Sequence, residues 1–91
     1  MINTEVAKVF EDIAGILEKK KDNIFKIRAY RNAARTIESL DVDLEQVMRE
    51  GKLKEIPGVG EAIAKKITEL LTTGSLGFYE RLKSGSGEGH D

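Results

Sequence analysis

Cysteine is absent from this 91-residue chain, so neither disulfide bonds nor thiolate metal sites are available to it. Histidine occurs once, at His90 in a Gly/Ser-rich end, which leaves no Ser-His-Asp arrangement. Walker-type loops and zinc-ligand spacings are missing as well. No apolar run approaches the roughly 18 residues that a membrane span needs. Polar residues enter at Asn3 and Thr4, too early for a secretion signal. No alternation of apolar and polar residues is long enough for a sheet, so the fold is expected to be all-α. What remains, 40% hydrophobic and 34% charged residues, describes one small globular domain with a single core.

The apolar spacing predicts a compact bundle of four to five short helices. Val6, Val9, Phe10, Ile13, Ile16 and Leu17 place a first helix over residues 4–19, capped by Asn3 or Thr4, with Glu5 in its first turn. A polar connection over 20–24 leads to a second helix over 25–40. A third, short helix carries Leu44, Val47 and Met48 and stops at Gly51, after a cap at Asp41 or Asp43. Asp41-Val42-Asp43 also has the spacing of paired metal carboxylates, but capping explains it better. Ser75 is a candidate cap for a last short helix through Phe78, Tyr79 and Leu82. Residues 1–83 thus form the domain, and the Gly/Ser-rich residues 84–91 read as a disordered tail or a severed linker.

The single proline, Pro57, sits in the most informative stretch, Ile56-Pro57-Gly58-Val59-Gly60-Glu61-Ala62-Ile63-Ala64. A helical turn at residues 53–56 breaks there, and a longer helix starts at Gly60 and runs to Thr73, closed by Gly74. Gly58 and Gly60 permit positive φ and close approach of another backbone. The amides that open the next helix have no partner of their own, and the helix dipole adds positive charge to them. Gly58, Val59, Gly60, Glu61 and Ala62 therefore offer main-chain donors suited to a phosphate.

Net charge is −1, yet the charges are segregated. Residues 19–35 hold seven cations against Asp22 alone, whereas residues 36–51 hold five carboxylates against Arg49. Such asymmetry fits a protein with one side turned to a polyanion. On a helical wheel, Ile27, Tyr30, Ala33, Ala34, Ile37 and Leu40 share one side of the second helix. Arg28, Arg31 and Arg35 fall opposite, as a solvated face or as guanidinium forks for phosphate. Lys26 and Tyr30 lie one turn apart at the edge of the apolar side. On the helix after the hairpin, Ile63, Ala64, Ile67, Leu70 and Leu71 face inward. Lys65 points to solvent and Lys66 falls at the boundary. Lys66 is either a snorkelling lysine or an amine desolvated enough for imine chemistry.

Three blocks carry a family resemblance: Val6-Ala7-Lys8-Val9-Phe10-Glu11-Asp12-Ile13-Ala14, Phe25-Lys26-Ile27-Arg28-Ala29-Tyr30-Arg31-Asn32-Ala33-Ala34-Arg35, and Ile56-Pro57-Gly58-Val59-Gly60-Glu61-Ala62-Ile63-Ala64-Lys65-Lys66-Ile67. In order and at these separations, they resemble the N-terminal helix-hairpin-helix domain of family X DNA polymerases (the 8-kDa or lyase domain), in its bacterial and archaeal branch. The resemblance implies a hairpin that binds the DNA backbone and a basic pocket, Lys26, Tyr30 and Lys54, for the 5′-phosphate of gapped DNA. It implies a sodium or potassium ion on the main-chain carbonyls of Lys54, Ile56 and Val59, with no other cofactor required. Lys66 aligns with the nucleophile of the lyase-active members. The polymerase reaction belongs to a palm domain outside this sequence, and the setting implied is a monomeric domain acting on DNA in the cytoplasm, at the nucleoid.

The sequence departs from the lyase-active pattern at four places. Ala62 replaces a phosphate-binding lysine, Lys65 an acidic residue, Phe25 a histidine and Phe78 a basic residue. DNA binding is the leading expectation; lyase action at Lys66 and a structural or protein-interaction role are the alternatives.

Overall fold

A computed structural model describes residues 1–85 of the chain. Five α-helices run α1 Asn3–Lys19, α2 Ile24–Ser39, α3 Leu44–Arg49, α4 Glu61–Thr73 and α5 Gly77–Ser84, with a short 3-10 turn at Leu53–Glu55 before α4. No strand occurs among the described residues. Helices α1 and α2 pack along their lengths as an antiparallel pair, and α5 returns to lie on α1. The 3-10 turn bridges α3 to α4.

Periodicity explains most of this core. Val6, Phe10, Ile13 and Leu17 of α1 meet Ile27, Tyr30 and Ile37 of α2, while Ile63, Ile67 and Leu70 of α4 close the other side. Val9 and Ile16, expected inside, sit at the rim, and Ala7 and Ala14 are buried in their place. Together with buried Ala33 and Ala34 they present small side chains that let packed helices approach closely.

Several helix ends differ from the sequence expectation. Asn3 does not cap α1; Ile2 holds that position, and the Glu5 carboxylate accepts from the Ile2 amide at 2.9 Å. Asn3 instead clamps the α2–α3 connection, its Nδ2 donating to the Val42 carbonyl at 2.7 Å and its Oδ1 accepting from the Leu44 amide at 2.9 Å. Asn23 caps α2 through the Phe25 amide, so α2 begins earlier than expected, at Ile24. Asp43 caps α3 through the Glu45 amide, which accounts for one of the paired carboxylates. Ser75 does not cap α5. Leu76 is the cap residue, and the Gly77 amide donates to the Glu69 carboxylate of α4 at 2.9 Å. Helix α5 includes Ser84, one residue past the expected domain limit; the rest of the proposed tail, from Ser86 on, and His90 lie outside the described residues.

Candidate nucleic-acid interface

The hairpin is anchored from below and open above. Leu53, Ile56, Val59 and Ile63 are buried, whereas Pro57, Gly58 and Gly60 are exposed. The Val59 amide donates to the Ile56 carbonyl at 3.0 Å across Pro57 and Gly58, and Gly58 has φ +84°. Proline second and a left-handed glycine third make this a type II turn. The positive φ falls on Gly58 alone, correcting the expectation for both glycines. Gly60 has φ −89° and ψ −169°, extended backbone open to any residue. The Val59 amide is likewise no free donor, because the turn consumes it.

Gly60 is the N-cap of α4 and has no side chain to satisfy the helix. Ala64 is the first residue whose amide bonds back, to the Gly60 carbonyl at 2.9 Å. The amides of Gly58, Gly60, Glu61 and Ala62 therefore have no partner among the described residues. Donors grouped at a helix N-terminus form a ready anion site. Among the described residues, the carbonyls of Lys54 and Val59 accept no hydrogen bond, while that of Ile56 accepts the turn bond. The Lys54 and Lys65 side chains are exposed and unpaired among the described residues.

The arginine stripe divides. Arg28 and Arg35 are exposed and without a carboxylate partner among the described residues. Arg31 is half-buried and held by α1, its Nη2 3.2 Å from Glu18 Oε1 and its Nε 3.8 Å from Glu11 Oε1. The expectation of three free forks is corrected to two. Helix α2 also backs the hairpin: a Cβ at Gly58 would lie 3.9 Å from Thr36 Oγ1.

A second cluster gathers residues far apart in sequence. The Tyr30 ring lies between Phe10 and Phe78, with centroids 5.9 and 6.0 Å away. Lys66 Nζ stands 4.9 Å from the Phe78 ring centroid. Burial pulls the Lys66 ammonium below its ordinary pKa; Glu69 opposes that shift and the charge of Lys26 adds to it. Burial also raises the Tyr30 phenol. Tyr30 is 7% exposed, yet its hydroxyl has no hydrogen-bond partner among the described residues. Lys26 keeps a loose ion pair with Asp22 at 3.6 Å. Lys26 is thus near enough for its charge to act on Lys66, and Tyr30 and Lys66 both pack against the Phe78 ring.

Two features escaped the sequence reading. The sequence places Phe78 in the last short helix and at a departure from a basic residue, but not as the ring over Lys66. Phe25, 73% exposed in the first turn of α2, is an aromatic face beside Lys26. Its position off the apolar side of the wheel was the signal that could have exposed it.

No helix among the described residues is long and apolar enough to cross a membrane. No group of three or more His, Cys, Asp or Glu there could hold a metal ion. A family of helix-hairpin-helix domains matches residues 1–76. The chain is also 29% identical over 89 residues to the DNA polymerase/3′-5′ exonuclease PolX of Bacillus subtilis (strain 168). That alignment covers 98% of this chain and 15% of the relative's length. The chain belongs to the helix-hairpin-helix domain family, and it is similar to a part of that polymerase.

Proposed function

We propose that the chain grips the sugar–phosphate backbone of gapped or 5′-phosphorylated DNA, with little preference for base sequence. The free amides at the start of α4 take one backbone phosphate, and a sodium or potassium ion on the carbonyls of Lys54, Ile56 and Val59 bridges to another. Lys26, Tyr30, Lys54 and Lys66 form the seat of the terminal 5′-phosphate, with Arg28, Arg35 and Lys65 contacting the flanking strand. The observation that carries this reading is Tyr30, a largely buried residue whose hydroxyl has no partner among the described residues, together with Lys26 and Lys66, whose charges repel. A phosphate would accept from the phenol and relieve that repulsion. Phe25 supports the same reading by offering a face on which an unpaired base in the gap can stack. The setting proposed is a monomeric domain in the cytoplasm, associated with the nucleoid.

Fluorescence anisotropy on a one-nucleotide-gapped duplex, with and without its 5′-phosphate, tests this across a salt series. Affinity should fall steeply with salt, because each neutralised phosphate releases counterions. The phosphorylated gap should bind about tenfold more tightly, the scale of one charge-assisted hydrogen bond. Equal affinity for both duplexes would remove the pocket from the account.

A second reading, imine formation at Lys66, is favoured by the half-buried amine and the nearby Lys26 charge, both of which promote the neutral form. Borohydride trapping on incised abasic DNA, compared with Lys66→Ala, decides it: an adduct that survives the substitution eliminates Lys66.

A further inference from the structure

Lys66 has an unusual neighbour for an amine at a phosphate seat: the flat face of Phe78, 4.9 Å from its Nζ to the ring centroid. That ring is braced. It stacks on Tyr30 at 6.0 Å with 20° between the planes, and Tyr30 stacks in turn on fully buried Phe10. The helix that carries Phe78 is tied down on both sides. Gly77 donates its amide to Glu69, Tyr79 donates its hydroxyl to Asp12 at 2.7 Å, and Leu76 and Leu82 are buried. Swinging the ring aside would disturb the stack and these anchors together.

A ring face attracts an ammonium more strongly than a neutral amine, which gains only a weak N–H···π contact. It also occupies one side of Nζ, and attack on a carbonyl carbon requires an open approach to about 3–3.5 Å. We infer that Phe78 decides what Lys66 can do, holding it as a phosphate-binding cation and closing it to aldehydes. This rests on the proposed phosphate seat and names the residue that selects its chemistry. Phe78 is a positioning residue, acting through Lys66.

Reductive alkylation with glycolaldehyde phosphate and borohydride tests this on the intact chain, without DNA. The Nζ lone pair adds to the aldehyde carbon, the carbonyl oxygen leaves as water, and hydride from borohydride reduces the C=N bond to a secondary amine. Lys65, exposed and unpaired among the described residues, is the internal reference. Tandem mass spectrometry reads the Lys66/Lys65 labelling ratio from pH 8 upward. Its high-pH plateau reports access, and its midpoint reports proton affinity. The plateau should be well below one in the native chain and rise about tenfold in Phe78→Ala. Phe78→Leu, which keeps apolar volume without a flat face, should show the same rise. Phe78→Tyr, which keeps the ring, should match the native chain. Melting curves verify that each variant is folded. An unchanged plateau in both Ala and Leu variants, or an equal rise in the Tyr variant, overturns the inference. Loss of the 5′-phosphate preference alone would instead count against the proposed function.

Discussion

Replacing Gly60 with aspartate should strengthen the fold and weaken DNA binding at the same time. The backbone at Gly60 is extended, and a Cβ there meets no atom within 4 Å, so the substitution introduces neither strain nor collision. The new carboxylate would accept from the otherwise unpartnered amides of Ala62 or Ile63, as N-cap side chains do. Capping over glycine is worth a few tenths of a kcal/mol, and the helix dipole adds about 0.3–1 kcal/mol, trimmed by neighbouring Glu61. For a domain of this size, a gain of about 0.5–1 kcal/mol raises Tm by about 2–8 °C. The same amides would then be unavailable to a phosphate. Losing one hydrogen bond to a charged group costs about 1.5–3 kcal/mol, or roughly tenfold to a hundredfold in Kd. Thermal melting and anisotropy on a gapped duplex, run on the same preparations, read both effects. Gly60→Asn separates occupation of the amides from added repulsion, since it caps without charge. A raised Tm with gapped-DNA affinity within about twofold of the native chain would refute a phosphate site at the α4 N-terminus.

Three further outcomes follow from the geometry. Arg28→Ala combined with Arg35→Ala should reduce the slope of log affinity against log salt by about two, one per phosphate contact, whereas Arg31→Ala should leave it unchanged because Glu11 and Glu18 already hold that side chain. Asn3→Ala removes both bonds to the α2–α3 connection and should lower stability by about 1–2 kcal/mol, read as a lower Tm and faster amide exchange at Leu44. Burial, the hydrogen bond to Asp12 and nearby carboxylate charge push the Tyr79 hydroxyl up to about 12 from 10.0. The folded state then binds more protons than the unfolded state between those values, so Tyr79's contribution is fully present below pH 10 and lost as pH rises towards 12. Denaturant melts over that interval should decline less steeply for Tyr79→Phe.

Local sequence was enough for every element whose cause is local. The 3.6-residue spacing of Val6, Phe10, Ile13 and Leu17, and of Ile27, Tyr30, Ala34 and Ile37, determines a helix with one buried face wherever a partner covers it. Pro57-Gly58 determines a type II turn, because one residue locks φ and the other accepts φ +84°. The same wheel puts Lys66 at the edge of the core and Lys65 in water. Which groups meet across the bundle was decided only by tertiary structure. Periodicity gives each helix a face but no azimuth or height against its neighbours. For that reason the capture of Arg31 by α1, the clamp from Asn3 to residues 42 and 44, and the Phe10–Tyr30–Phe78 stack ending at Lys66 could not be read from spacing. Each depends on side chains at least 13 residues apart or on several helices at once, positions that core packing sets.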